Sequence, residues 1–146
     1  NMTQVIRFSE AVTIGVHAMV YLASQPGRQV PLGEVAEAFK VSEAHLAKVM
    51  QRLGKAGLVK GSRGPTGGYT LLSSPDNIHL LEIYEAIEGP FVPKFCLFAE
   101  PMCGQVCCGV GEVLGQLNVQ MKKYLSETIL TSLVKAKANV RKGKKS

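Results

Sequence analysis

Apolar residues recur at three- and four-residue steps along most of this chain and give way to strand composition in one short stretch, so the pattern predicts a mainly α fold with a small β hairpin. Ser9 to Ser24 reads as the first helix, with Ser9 as N-cap, Glu10 in the first turn, and Val12, Val16, Met19, Val20 and Ala23 as the apolar stripe. Gln25-Pro26-Gly27 ends it. His17 falls inside this pattern, where a lone histidine is more often a satisfied, partly buried side chain than a ligand. Val30-Pro31-Leu32 leads into a second helix reaching about Phe39, with Val35, Ala36 and Phe39 facing inward. The turn Lys40-Val41 has the brevity a helix-turn-helix needs.

The stretch from Val41 to Leu72 organises the rest. Ser42 suits the cap of a third helix, Glu43 suits its positive end, and Leu46, Val49, Met50 and Leu53 form its core face. The other face carries Ala44, His45, Lys48, Gln51, Arg52 and Lys55, with groove-sized side chains near the start and cations further along, which fits a helix lying in the major groove. After Ala56-Gly57, Leu58-Val59-Lys60 and Tyr69-Thr70-Leu71-Leu72 have strand composition, and the glycine- and proline-rich tip between them holds Arg63. Such a hairpin is the shape of a wing that enters the minor groove. A helix and hairpin in an ordinary α+β domain, with a solvated basic face, would show the same periodicity. Charge placement favours the DNA reader: Lys40, Lys48, Arg52, Lys55, Lys60 and Arg63 face only one acid, Glu43, between residues 40 and 68. The expected contacts are Ser42, Ala44, His45 and Lys48 in the major groove and Arg63 in the minor groove. Lys55, Lys60 and the wing-tip amides at Gly64, Gly67 and Gly68 would meet phosphates.

Beyond the wing, Ser73 to Asn77 is a polar loop, Ile78-His79-Leu80 suggests an extended piece, and Leu81, Ile83, Tyr84 and Ile87 suggest a helix ending at Gly89-Pro90. Phe91 to Gly111 has no clean period and holds prolines, glycines and all four cysteines. From Glu112 a long amphipathic helix is predicted, with Leu114, Leu117, Met121, Tyr124 and Leu125 at roughly heptad steps. One small domain cannot cover so extended a stripe, so a second copy packed along it is expected, setting two reading heads on successive major-groove faces of a palindromic duplex. Ser126 suits the cap of a final short helix whose Ile129, Leu130, Leu133 and Val134 dock back.

At 146 residues the chain suffices for one domain with a real core, or a small domain plus a dimerising helix. The formal net charge of +6 is matched by the tail alone, where Lys135, Lys137, Arg141, Lys142, Lys144 and Lys145 stand with no acid. That tail reads as a disordered, solubilising segment ahead of a specific DNA arm. No apolar run approaches the roughly 20 residues of a membrane span, and the start lacks a signal-peptide core, so a cytoplasmic protein is expected. In that compartment the cluster Cys96, Cys103, Cys107 and Cys108 points to a metal or redox site rather than a disulfide framework. No histidine lies beside the thiols and no two cysteines are spaced by two residues, which disfavours a zinc ribbon. An enzyme or cluster-transfer scaffold lacks a sequence-visible base for its thiol and leaves the basic wing unexplained, so no enzyme is expected.

The runs RFSEAVTIGVHAMVYLA, HLAKVMQRLGKAGLVKGSRGPTGGYTL and IHLLEIYEAIEG, followed by the Cys96 to Cys108 loop, together resemble the BadM/Rrf-two family of winged-helix regulators. The likeness runs from Arg7 to Val134, and RGPTGGY after Gly57 is its most specific part. The resemblance implies an N-terminal winged helix-turn-helix joined to a long C-terminal dimerisation helix. It also implies transcriptional regulation, in many members through an iron–sulfur cluster, among them nitric-oxide-sensitive and cluster-biogenesis regulators. In those members three cysteines between wing and long helix bind the cluster. The matching positions are Cys96, Cys103 and Cys108, with Cys107 competing for the third place. In the nitric-oxide-sensitive type an N-terminal carboxylate of the other subunit is the fourth ligand, and the RFSEA run puts Glu10 there; by its residues alone Glu10 is a helix-start acid. The chain departs from the even five-and-five spacing of the cluster-biogenesis type, with six residues between Cys96 and Cys103 and four between Cys103 and Cys108. The additional thiol of the Cys107-Cys108 pair can instead join a disulfide.

The layout expected is a winged-helix domain over residues 2–90, a cysteine-bearing sensor loop over 91–111, a dimerisation helix and short C-terminal helix over 112–134, and a basic tail over 135–146. The function expected is a dimeric regulator of double-stranded DNA whose affinity follows a 2Fe-2S or 4Fe-4S cluster. The alternative is the same regulator without a cluster, controlled by thiol oxidation, a small effector or a partner protein.

Overall fold

The computed structural model describes residues 8–93 and 109–134. Helix α1 (Glu10–Ala23) starts because extended Ser9 accepts the Val12 N–H on its hydroxyl at 3.2 Å. Its buried face is broader than the predicted stripe: Ile14, Gly15, Ala18 and Leu22 are buried beside Val12, Met19 and Val20, while Val16 and Ala23 are only partly covered. The reason is that α1 packs against three helices and the hairpin rather than one layer. A Cβ at Gly15 would collide with the Ile87 side chain and stand 3.3 Å from Val49 Cγ1, so this glycine allows the close approach.

Helix α2 (Leu32–Phe39) ends in a Schellman-type turn: Val41 N–H reaches Ala36 O at 3.0 Å, and Lys40 takes the left-handed conformation at φ 54°. Helix α3 (Glu43–Lys55) follows at once, capped by Ser42 Oγ, which accepts from His45 N at 3.1 Å. Leu46, Val49, Met50 and Leu53 are buried as their spacing predicts. Gly57, at φ 77°, ends α3 in a second such turn, with Leu58 N–H on Leu53 O at 3.1 Å.

Strands β1 (Val59–Ser62) and β2 (Gly68–Leu71) pair antiparallel with Val59 opposite Leu71 and Ser62 opposite Gly68. The pairing lies closer to the tip than the predicted strands, Leu58 and Leu72 being joined only by a Leu72 N–H bond to Leu58 O of 3.1 Å. Val30 acts as a third strand position: it exchanges both backbone bonds with Tyr69, at 3.0 and 2.8 Å. Sequence reading treats Val30 only as a lead-in to α2, because a single bridging residue has no period.

The predicted polar loop contains a 3₁₀ turn at Pro75–Asn77. Helix α4 (Leu80–Glu88) opens with a capping box in which Glu82 Oε2 accepts His79 N–H at 2.7 Å, and it ends at Gly89. Helix α5 (Gly109–Glu127) begins three residues before the predicted Glu112. Ser126 lies inside α5 and donates to Lys123 O at 2.7 Å, so it caps nothing; the break comes at Thr128, and residues 130–134 are helical again. Docking there is by backbone as well as side chain: Leu80 N–H bonds Thr128 O and Leu130 N–H bonds Ile78 O, both at 2.8 Å, with Leu130 fully buried. The extended piece at Ile78-His79-Leu80 is thus half of a bridge to Ile129.

The stripe of α5 divides. Leu114 and Leu125 are buried and Met121 is partly so, whereas Leu117 (42%) and Tyr124 (72%) stand exposed with Val110 (56%) and Val113 (59%). A Cβ on Gly68 would lie 2.6 Å from the Val30 carbonyl carbon and oxygen. Gly68→Ala is therefore expected to part Val30 from the wing and cost about 1–3 kcal/mol, read as a lowered midpoint in thermal unfolding.

Candidate nucleic-acid interface and its junction with the cysteine segment

The short Lys40-Val41 turn sets α3 directly after α2, and the two Schellman ends fix where α3 begins and where the wing leaves it. Outward along α3, Ala44, Lys48, Gln51, Arg52 and Lys55 are exposed and His45 is half-buried. Ser42 is exposed; its hydroxyl accepts the cap bond and keeps its own O–H for a further acceptor. Lys60 and Arg63 are exposed on the hairpin. Among the described residues none of Lys48, Lys55, Lys60 and Arg63 is held in an ion pair.

The three wing glycines separate. Gly64 is exposed, Gly67 turns its N–H to Gly64 O at 2.9 Å, and Gly68 is buried against Val30. Gly64 thus lies at the open tip, while Gly67 and Gly68 hold the hairpin's shape. Arg52 also differs from its neighbours, since its Nη1 donates to Ile87 O at 3.0 Å on the last turn of α4. Periodicity could not have found this, because it sets Arg52 on the face it shares with Lys48 and Lys55.

Glu10 is exposed in the first turn of α1. Next to it, the Ser9 hydroxyl hydrogen-bonds the Glu88 carboxylate, and the Phe8 ring lies 6.2 Å from that of Tyr84. The Tyr84 ring in turn lies 5.2 Å from that of Phe91, tilted by 59°, and the Phe91 N–H donates to Glu85 Oε2 at 2.8 Å. The start of the chain and the segment running toward the cysteines therefore meet on the end of α4. Cys96, Cys103, Cys107 and Cys108 lie outside the described residues, as does the basic tail from residue 135. Among the described residues no group of three His, Cys, Asp or Glu side chains could hold a metal. His17 is structural: its Nδ1 lies 2.6 Å from Thr13 O and its ring meets Phe39 edge-on, though it is exposed rather than partly buried. No described helix is long and apolar enough to cross a membrane.

A helix-turn-helix followed by a two-stranded wing, with a long helix after it, defines the winged-helix class of transcriptional regulators. The chain belongs to the Rrf2 (Rrf-two) family, whose profile, described as iron-dependent transcriptional regulator, matches residues 8–136. It is similar to the HTH-type transcriptional regulator NsrR of Bacillus subtilis (strain 168), 30% identical over 130 residues that cover 87% of this chain and 89% of that protein. Among solved structures it is similar to CymR (YrzC), the global cysteine regulator of B. subtilis, with a TM-score of 0.76 and 30% identity over 90% of this chain and 98% of that one. It also resembles IscR of T. potens, with a TM-score of 0.72 and 27% identity, covering 90% and 88%.

Burial, and then the charge of Glu88, raise the Tyr84 phenol above its ordinary pKa of 10.0. The neutral phenol is the form the fold favours, so its contribution is intact below that ordinary value and fades as pH climbs through the raised one. In an alkaline absorbance titration Tyr84 should ionise above its ordinary pKa of 10.0, and Tyr84→Phe should remove that late step.

Proposed function

We propose that the protein is a homodimeric regulator that binds palindromic double-stranded DNA, with an affinity set by the state of the segment carrying Cys96, Cys103, Cys107 and Cys108. The observation that carries this reading is the exposed set Lys48, Lys55, Lys60 and Arg63, in no ion pair among the described residues, on a helix and wing of groove dimensions. Ser42, Ala44, His45 and Lys48 take the major groove, Arg63 the minor groove, and Lys55, Lys60 and the Gly64 tip the phosphates. Gly67 and Gly68 support that tip from behind. The open stripe Val110, Val113, Leu117 and Tyr124 steps by three, four and seven residues and suits a second copy packed along α5.

The cofactor proposed for the segment is an iron–sulfur cluster. The donor set fits by its chemistry: Cys96, Cys103 and Cys108, with Cys107 in competition, supply soft thiolates, and exposed Glu10 stands beside the corner from which the segment departs. Such a cluster, when bound, supplies a centre that gains and loses electrons. What the chain itself must do is present two arrangements of the segment that differ in DNA affinity, since only that difference shifts the population. The likeness to CymR, a cysteine regulator by name, supports a second reading in which thiol chemistry, an effector or a partner acts on the same segment without a cluster.

Two substitutions test these roles. Arg63→Ala should weaken operator binding about tenfold or more, near 1.4 kcal/mol, in a titration by fluorescence anisotropy; unchanged affinity would remove Arg63 from the interface. Cys103→Ala should abolish the visible absorbance and bound iron of anaerobically prepared protein. A full spectrum in that variant excludes this thiol as a ligand, and colourless, iron-free wild-type protein that binds the operator favours the cluster-free reading.

A further inference from the structure

The last turn of α4 touches three separate parts of the molecule within five residues. Tyr84 meets the Phe91 ring at a tilt, and Glu85 accepts the Phe91 N–H, so two contacts hold the chain that leads to the cysteines. Glu88 takes the Ser9 hydroxyl and Tyr84 faces Phe8, which brings in the cap of α1. Ile87 O accepts the Arg52 guanidinium from α3. That carbonyl belongs to the final turn, where helix carbonyls lack an intrahelical donor. A guanidinium there supplies a charge-assisted bond and a cation at the negative end of the helix. Arg52 is one turn from both Lys48 and Lys55, so it joins the groove-facing helix to this corner from within the face expected to meet DNA.

We infer that the C-terminal turn of α4 is a joint between the cysteine segment and the reading helix, in which Arg52 is the positioning residue on the DNA side and Glu85 its counterpart on the segment side. The inference rests on the reading that the segment's state governs DNA affinity. Displacement of Phe91 pulls on Glu85 and Tyr84, and the same helix end carries the carbonyl that anchors Arg52. Because coupling is reciprocal, operator binding must also alter the segment. A plain phosphate contact by Arg52 would produce no such effect.

The experiment uses the full-length, reduced, metal-free chain and an operator fragment selected in vitro with the wild-type protein. Thiol labelling by the aromatic disulfide DTNB is timed with and without saturating operator, and DNA affinity is measured over a range of salt. The wild type should show a labelling rate changed about fivefold or more by operator. Arg52→Met, which keeps the aliphatic stem and helix propensity, should bind the operator with an unchanged salt slope yet lose that response. Glu85→Ala, on the other side of the joint from the groove-facing residues, should lose it too. A response that persists in either variant overturns the joint. So does a salt slope lowered by about one in Arg52→Met, the mark of a lost phosphate contact. Absence of any response in the wild type instead defeats the underlying reading that the cysteine segment communicates with DNA.

Discussion

Gly15 is the point on which the architecture turns. The ring-free, methyl-free surface at this position lets Ile87 of α4 and Val49 of α3 press against the same spot on α1. Overfilling such a site forces the Ile87 side chain to give way, at a cost of about 1–3 kcal/mol. With α1 as the common floor, the reading helix and α4 lie side by side, and Arg52 can span to Ile87 O. Without that convergence the reading helix would keep its contacts with α2 and β1 but lose the Arg52 span to α4.

The far end of the chain completes the same body. Leu130 is fully buried in the core, a burial worth about 1.5–3 kcal/mol, and its backbone bonds to Ile78 O while Ile129 bridges His79. Thr131 adds a hydroxyl bond of 2.6 Å to Asp76. The long helix is therefore anchored at its C-terminal end to the start of α4, the helix whose other end holds Phe91. On α5, Leu125 joins the domain core, Leu114 is also buried, and Val113, Leu117 and Tyr124 stand exposed.

Charge is distributed in keeping with this division of labour. The reading stretch is basic, and among the described residues none of Lys48, Lys55, Lys60 and Arg63 is held in an ion pair. On α4, Glu82, Glu85 and Glu88 each accept a hydrogen bond, from the His79 N–H at the helix's own cap, from the Phe91 N–H and from the Ser9 hydroxyl respectively. These acids fasten chain segments at a helix whose end also receives the guanidinium of Arg52.

Sequence alone determined what depends on local period and local chemistry. The helix caps at Ser9 and Ser42, the core face Leu46, Val49, Met50 and Leu53, the stop at Gly57 and the wing around Arg63 all follow from residues within a few positions of each other, because capping bonds and helical faces are short-range. The family likeness was legible for the same reason, its longest runs lying in those elements. Tertiary structure decided what requires residues remote in sequence to meet. It made Val30 a strand partner of Tyr69, moved Ser126 from cap to helix interior, and sorted Gly64 from Gly67 and Gly68. It also took Arg52 out of the uniform basic face and joined it to a carbonyl 35 positions away. A helical wheel assigns a side chain to a face, but only the packing of α1, α3 and α4 determines which neighbour that face reaches.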